Sequence, residues 1–273
     1  MTYITTKDNT KLYVKDWGKG RPVILIHGWP LSADSWDDQT HAIADAGMRA
    51  IAYDRRGFGR SDQSWEGYDY DTLADDLAAV IEGTGAKDAT LVGFSMGGGE
   101  VARYLSRHNA KNVVQAALIS AVVPYMLKTP DNPKGVDQAV FDQMIAGMKE
   151  DRAHFFAGFF KTFFGEGLPS KPVSDEVLQW ARSVSLQAGL KPTLACAKSF
   201  ATTDFRSDLA AFTLPTLIIH GTADKTVPID PTGRASAHAI PKAKFIEYEG
   251  APHGLFVTHK EKFTKDLLAF LKS

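Results

Sequence analysis

One stretch of nine residues limits the possible folds of this chain more than any other. Residues 91–99 read LVGFSMGGG, a short β-type run that passes through Ser95 into a helical pattern. Gly93 and Gly97 complete the pattern G-x-S-x-G, in which a serine nucleophile occupies strained backbone on a tight turn between a strand and a helix. The stretch therefore predicts that the Ser95 hydroxyl projects at the end of a buried strand.

The rest of the chain alternates short β-type runs with longer helical patterns. The first two runs resemble a hairpin and the later ones are continuously apolar, as is typical of parallel strands covered on both faces by helices. The runs are 3–5, 11–17, 23–26, 49–53, 90–92, 117–119, 216–219 and 245–248, and helical patterns cover 36–46, 71–81, 95–107 and 260–271. The predicted class is α/β, with a mostly parallel eight-stranded sheet flanked by helices.

The alternation stops in residues 124–205, where helical and aromatic-rich sequence replaces the strand runs. Prolines at 124, 130 and 133 indicate an irregular entry, and residues 142–160 are expected to be helical. We interpret 124–205 as a helical cap inserted into a core built from 1–123 and 206–273. The aromatic side chains of this segment either pack the cap onto the core or form a pocket wall.

Charge and composition exclude several classes of partner. The chain has 31 Lys and Arg against 32 Asp and Glu, so it has no strong net field to attract nucleic acid or an anionic membrane surface. The single cysteine, Cys196, cannot form an intrachain disulfide, and residues 1–10 lack the basic and apolar runs of a secretion signal. The expected protein is cytoplasmic and acts on small molecules.

No cofactor or metal is expected from the sequence. Residues 54–61 read DRRGFGRS and are rich in glycine and arginine, but they match neither the dinucleotide fingerprint nor the phosphate-binding loop. No histidine or carboxylate pair has the spacing of zinc ligands.

Ser95 needs two partners, because a serine hydroxyl is a weak nucleophile without a base and a group that orients the base. On this kind of turn the acid and the histidine follow the serine in that order, after later strands of the sheet. Asp224 follows the run 216–219, and His253 follows the run 245–248 in a loop that reads GAPHG. We therefore predict Ser95 as nucleophile, His253 as base and Asp224 as the orienting acid.

Other candidates for these roles are less well placed. Asp230 could be the acid, but it is interpreted as the cap of a following helix. His220 lies inside the end of a strand, and His238 and His259 lie on helical or loop surface.

Acyl transfer also requires N–H donors for the oxyanion of the tetrahedral intermediate. Met96, the residue after the nucleophile, is expected to provide one backbone N–H, and Trp29, in the loop after the third strand, the other. His27 is expected to brace that loop by hydrogen bonding. Pro30 lacks an N–H and rigidifies the same loop.

Taken together, HGWP at 27–30, DRRGFGRS at 54–61, GFSMGGG at 93–99, HGTAD at 220–224 and PHG at 252–254 resemble one family. This is the cofactor-free haloperoxidase, aryl-esterase and perhydrolase group of the α/β-hydrolase fold. The resemblance spans nearly the whole chain. It implies hydrolysis of small carboxylic esters through an acyl-serine, with a side reaction in which hydrogen peroxide replaces water and releases a peracid.

The resemblance also implies further properties. The residues that match the family's acyl pocket are Trp29, Val122, Phe159, Phe163 and Val227. Met126 and Met144 stand where family members often carry phenylalanine, so the acyl-size preference stays open. Proline at the position of Pro30 is associated with stronger perhydrolysis. Homo-oligomers are common in the group.

Three alternative functions remain compatible with the same residues. A carbon–carbon bond hydrolase and a lactamase would use the same triad, and a ligand receptor on this fold could keep an intact triad without turnover. Haloalkane dehalogenases and epoxide hydrolases share HGWP but use an aspartate nucleophile, which the serine at position 95 argues against.

Overall fold

A computed structural model describes residues 2–167 and 173–273. Its centre is one sheet with the strand order β1-β2-β4-β3-β5-β6-β7-β8. The strands are β1 Thr2–Thr5, β2 Lys11–Gly18, β3 Pro22–Ile26, β4 Arg49–Tyr53, β5 Ala89–Phe94, β6 Val113–Ile119, β7 Thr216–Gly221 and β8 Lys244–Tyr248. The β1–β2 and β2–β4 pairs are antiparallel, and the others are parallel. The predicted mostly parallel eight-stranded sheet is confirmed.

Helices connect the strands and cover the sheet. They are α1 Asp37–Asp45, α2 Tyr70–Gly83, α3 Met96–Arg107, α4 Gln138–Phe163, α5 Asp175–Leu186, α6 Leu190–Thr202, α7 Ala235–Ala239, α8 Leu255–Thr258 and α9 Lys260–Leu271. Every residue of β3, β5 and β7 is buried, which explains why these strands read as continuous apolar runs. β8, at the edge, is partly exposed.

Helices α4, α5 and α6 follow one another between β6 and β7, in the segment predicted to form a cap. Residues 168–172 of that segment lie outside the described residues. The predicted helix 142–160 lies within α4, which is interrupted at Asp151 by extended backbone with φ −149° and ψ 92°. The Asp151 carboxylate accepts a hydrogen bond from the backbone N–H of His154 at 2.9 Å, so it acts as the N-cap of the second half of the helix.

The requirements for a membrane-spanning helix and for a three-ligand metal site are not met in residues 2–167 and 173–273. None of their helices is long and apolar enough to cross a membrane. Within the same ranges, no three His, Cys, Asp or Glu side chains are grouped so that they could hold a metal ion.

Candidate active site

The turn between β5 and α3 holds Ser95 in unusual backbone geometry. Its φ is 53° and its ψ −119°, a conformation that costs energy for a residue with a side chain. Two glycines allow the tight turn, since a Cβ atom at Gly93 would lie 2.5 Å from the carbonyl oxygen of Gly97. A Cβ atom at Gly97 would lie 2.5 Å from the carbonyl oxygen of Ile26 on β3. The glycine pattern around Ser95 therefore reflects close backbone approach.

Ser95, His253 and Asp224 form a continuous chain of hydrogen bonds. His253 Nε2 lies 2.9 Å from Ser95 Oγ, and His253 Nδ1 lies 2.6 Å from Asp224 Oδ2. All three residues are buried. Because the ionised carboxylate can only accept, the Nδ1 proton points to Asp224, and Nε2 is left to accept the proton of Ser95. The arrangement can activate a serine hydroxyl.

Asp224 is surrounded by donors. Its Oδ1 accepts the backbone N–H groups of Thr226 at 2.9 Å and Val227 at 2.8 Å. Burial by itself would raise the pKa of Asp224, but the charge of His253 and the hydrogen bonds from His220 and His253 outweigh it and hold the pKa well below its usual range. The carboxylate is therefore ionised at neutral pH.

Two aromatic rings pack against the His253 imidazole. The ring centres of Phe94 and Phe163 each lie 4.9 Å from that of His253. The backbone N–H of Gly254 also donates to the carbonyl oxygen of Phe163 at 2.8 Å. The end of α4 thus holds the loop that carries His253.

The two predicted oxyanion donors, Trp29 and Met96, belong to two segments that adjoin Ser95. Met96 is the first residue of α3, and the first N–H groups of a helix have no partner within it and carry the positive end of the helix dipole. Trp29 follows β3, and a Cβ atom at its neighbour Gly28 would lie 3.0 Å from Ser95 Cβ. The loop after β3 therefore passes directly beside the serine.

The Trp29 side chain connects this loop to the helices between β6 and β7. Its indole N–H donates to the carbonyl oxygen of Thr193, in α6, at 3.0 Å. Its ring packs against those of Phe156, Phe159 and Phe200 at centroid distances of 5.4 to 5.7 Å. The position of Trp29 therefore depends on α4 and α6 as well as on its own loop.

His27 braces the loop, as predicted. Its Nδ1–H donates to the carbonyl oxygen of Gly28 at 2.9 Å, and its Nε2 accepts the backbone N–H of Arg55 at 3.0 Å. Burial and the neighbouring Arg55 hold the pKa of His27 well below its ordinary value. Arg55 in turn donates to the His27 carbonyl oxygen at 2.6 Å and pairs with the buried carboxylate of Glu100.

The other arginines of residues 54–61 are also engaged internally. Arg56 pairs with Asp76 at 2.6 Å, and Arg60 pairs with Asp54 at 2.9 Å. The stretch therefore supports the fold, in agreement with its failure to match a phosphate-binding loop.

A cavity of about 510 Å³ opens above Ser95. Its wall is mainly apolar and comes from the loop after β3, the segment after β6, α4, α6 and the loop after β7. The lining residues are Trp29, Ser95, Val122, Val136, Val140, Phe141, Gln143, Met144, His154, Phe155, Gly158, Phe159, Thr162, Phe200, Lys225, Thr226 and Val227. Four of the five predicted pocket residues, Trp29, Val122, Phe159 and Val227, are among them.

Phe163 is the exception. It does not line the cavity, because α4 turns its ring inward onto His253 and Phe94, where it is fully buried. Of the two methionines, Met144 lines the cavity and Met126 is buried outside its lining.

The interpretation of Asp230 as a helix cap is wrong. Asp230 is the first residue of a short π-helical turn whose N-cap is Ile229, and among the described residues the Asp230 carboxylate is bonded by side chains and not by a backbone N–H of that turn. Its carboxylate instead pairs with Arg234, four residues on, at 2.7 Å, and with Lys134 at 3.4 Å. The carboxylate that contacts His253 belongs to Asp224.

His220 has a contact that sequence reasoning missed. The sequence predicted that His220 lies in the end of a strand, but it gave no contact with Asp224. In the structure His220 Nε2 lies 3.3 Å from Asp224 Oδ2. The i,i+4 spacing of the two residues is the only signal in the sequence, and it becomes informative only when the turn after β7 is known.

A parallel sheet with a serine on the turn after its central strand, followed in chain order by an acid and a histidine, defines a serine hydrolase architecture. The chain belongs to the α/β-hydrolase fold family, whose sequence model matches residues 21–260. The predicted fold is thereby confirmed.

Individual relatives sharpen this assignment. The chain is 45% identical to a non-heme chloroperoxidase from Kitasatospora aureofaciens, with 99% of each chain covered. It is 44% identical to a bifunctional esterase/perhydrolase from Acinetobacter calcoaceticus, with all of both chains covered. The crystal structure of a bromoperoxidase from Bacillus anthracis is 44% identical with a TM-score of 0.97, covering 100% of this chain and 99% of that one. The predicted resemblance to the haloperoxidase and perhydrolase group is confirmed.

Proposed function

We propose that this protein hydrolyses small carboxylic esters through an acyl-Ser95 intermediate and also transfers the acyl group to hydrogen peroxide. The observation that carries the proposal is the hydrogen-bonded chain Ser95–His253–Asp224 at the base of an apolar cavity. Similarity to an esterase/perhydrolase and to non-heme chloroperoxidases supports both acyl acceptors.

In the first half-reaction, Ser95 Oγ attacks the ester carbonyl carbon while His253 Nε2 takes the hydroxyl proton. The backbone N–H groups of Trp29 and Met96 stabilise the resulting oxyanion, each by roughly 3 kcal/mol. When the tetrahedral intermediate collapses, His253 returns the proton to the departing alcohol. Asp224 keeps the imidazole in the required tautomer and stabilises its transient charge.

In the second half-reaction, water or hydrogen peroxide attacks the acyl carbon and gives its proton to His253. The bond between the acyl carbon and Ser95 Oγ then breaks, and His253 returns the proton to Oγ, which restores the free serine. Water yields the carboxylic acid, and peroxide yields the peracid. A free peracid oxidises halide ions in solution, which accounts for haloperoxidase activity without a redox cofactor. We infer that the substrates are small esters or carboxylic acids, because apolar side chains dominate the cavity wall.

The proposed function also includes the predicted division of the chain into a core, residues 1–123 and 206–273, and a cap, residues 124–205. The cap supplies α4 and α6, which form part of the cavity wall and hold Trp29. A cytoplasmic location and a homo-oligomeric state stay predictions.

The esterase proposal is tested by hydrolysis of p-nitrophenyl acetate. We expect Ser95→Ala to lose turnover by at least about a thousandfold. Ser183→Ala, at an exposed serine of α5, is the matched control and should retain wild-type rates. Equal turnover by Ser95→Ala and wild type would contradict the proposal, and saturable ester binding with negligible wild-type turnover would favour a receptor.

The perhydrolase proposal is tested by peracid formation from acetate and hydrogen peroxide. Pro30 rigidifies the loop that carries the Trp29 oxyanion donor, so Pro30→Leu should form peracid more slowly while still hydrolysing p-nitrophenyl acetate. Equal and negligible peracid rates for the wild type and the variant would contradict it.

A further inference from the structure

A second histidine, His220, contacts the acid of the triad from inside the sheet. It lies near the end of β7 and is completely buried. Its Nε2 lies 2.9 Å from the carbonyl oxygen of Val227 and 3.3 Å from Asp224 Oδ2. Because a carbonyl oxygen can only accept, Nε2 carries a proton, and this N–H is shared between the two oxygens.

His220 and the backbone of Val227 contact each other, and each contacts one oxygen of the Asp224 carboxylate. The backbone N–H of Val227 donates to Asp224 Oδ1 at 2.8 Å, while the carbonyl oxygen of the same residue accepts from His220. The oxygen that His220 approaches, Oδ2, is the one that binds His253. His220 therefore touches the carboxylate at the atom through which it acts on the base.

We propose that His220 is a positioning residue for catalysis: its Nε2–H holds Asp224 Oδ2 toward His253 and takes up part of the carboxylate charge. The proposal rests on the proposed hydrolase function. Without this donor, Asp224 would present more negative charge to His253, and the imidazolium form of His253 would be favoured. His220 thereby limits how strongly the Asp224 carboxylate attracts a further proton to the His253 imidazole.

Few charged groups in the described parts of the chain compete with this effect. His253 meets Asp224 and the Ser95 hydroxyl through its two nitrogens, and the rings of Phe94 and Phe163 pack against it. Lys225, next to Asp224, is exposed at the cavity.

On the other side, Glu247 of β8 stands opposite His220 in the strand register. Its carboxylate is engaged by Arg234 at 2.6 Å. His220 Nδ1 is buried, has no hydrogen-bond partner among residues 2–167 and 173–273, and faces Gly233. The polar contacts of the imidazole are therefore made by Nε2, the atom that contacts Asp224.

Two substitutions separate a positioning role from simple packing. His220→Phe keeps a ring in the same space and removes the donor. His220→Gln keeps an N–H donor close to the position of Nε2. A purely structural role predicts that neither variant changes the pH dependence of catalysis.

The first measurement is kcat/KM for p-nitrophenyl acetate between pH 4 and 9, with folding checked by urea denaturation. Removing the donor should move the midpoint of the acid limb in His220→Phe to higher pH by about one unit. His220→Gln should return it to within a few tenths of a unit of wild type. His220→Leu replaces His220→Phe if the latter does not fold.

The second measurement does not require turnover. The imidazole of His253 is titrated by NMR in Ser95→Ala and in the double variant Ser95→Ala, His220→Phe. We expect the same upward displacement of the titration midpoint. An unchanged midpoint in folded variants, or an equal displacement with glutamine and phenylalanine, would overturn the positioning role. Failure of the hydrolase function would appear separately, as turnover that survives Ser95→Ala.

Discussion

Replacing Asp224 by asparagine should reverse the proton arrangement of the triad while leaving its shape intact. The backbone N–H groups of residues 226 and 227 both point at Oδ1, from 2.9 and 2.8 Å. The asparagine carbonyl oxygen should take that place, because the flipped amide would leave the buried N–H of Val227 and the partly buried N–H of Thr226 facing an NH₂ group. In the unflipped orientation the His220 Nε2–H loses its contact with Oδ2 but keeps the carbonyl oxygen of Val227 at 2.9 Å. Each unpaired donor costs about 1–3 kcal/mol, so two unpaired backbone donors outweigh this loss and disfavour the flipped orientation.

The amide NH₂ group then occupies the position of Oδ2, 2.6 Å from His253 Nδ1 in the wild type. A donor at that place requires His253 Nδ1 to accept, which moves the imidazole proton to Nε2. Nε2 then faces the Ser95 hydroxyl as a donor and cannot take its proton. This wrong tautomer lowers kcat by about 10⁴-fold in a serine triad, and we expect a loss of that order here with little change in KM.

The assay is steady-state hydrolysis of p-nitrophenyl acetate, combined with ¹⁵N NMR to identify the tautomer of His253. Asp230→Asn is the matched control, because it makes the same chemical change at an exposed acid paired with Arg234, and its kcat should equal that of the wild type. A kcat of Asp224→Asn within tenfold of wild type, or a His253 proton that stays on Nδ1, would contradict the expected change of tautomer.

Four further results are expected. Glu100→Leu leaves the buried Arg55 guanidinium unpaired and should lower the free energy of unfolding, measured in urea, by about 3–5 kcal/mol. Adding Arg55→Met should recover part of this loss. Fully additive effects of the two substitutions on the unfolding free energy would contradict this expectation. Phe163→Ala empties a fully buried site beside the catalytic histidine and should lower the free energy of unfolding by about 3–5 kcal/mol and also lower kcat. Lys149→Ala, at an exposed position of α4 outside the cavity lining, should do neither. The pKa of Asp224 lies below its unfolded value, so its contribution to stability is complete above about pH 4 and is lost as the pH falls further. The difference in unfolding free energy between wild type and Asp224→Asn should therefore shrink on acidification, and a constant difference would count against the ionised carboxylate. Burial raises the pKa of the Cys196 thiol to about 12, so the native protein should not react with a disulfide reagent at pH 8. In guanidinium one thiol per chain should react. Rapid labelling of the native protein would show that the surroundings of Cys196 open to solvent.

Much of the core was predictable because it depends on local signals. Continuous apolar runs indicated β3, β5 and β7, since strands buried on both faces have no polar side to encode. The last helix, Lys260–Leu271, was predicted with its observed bounds. The triad followed from chain order, because the ends of parallel strands meet at one edge of the sheet. Its three members are joined by hydrogen bonds in the structure.

Other features could not be read from local sequence. The break at Asp151 interrupts a segment whose composition is helical throughout, and the orientation of Phe163 depends on how α4 packs against the sheet. Asp230 has the residue type of a cap, but it stands one residue past the cap position, and its carboxylate pairs with Arg234. In each case a neighbour in space decided between options that the sequence permits.

The sequence by itself determined the strand-to-helix turn at Ser95, because only glycines tolerate the close backbone approach at positions 93 and 97. The tertiary structure alone decided what surrounds that turn. The indole N–H of Trp29 donates to the carbonyl oxygen of Thr193, 164 residues away in the chain. The Asp224 carboxylate is contacted by a second histidine, His220, at the end of β7. Such contacts arise from the packing of separate elements, and their geometry exists only after those elements have come together.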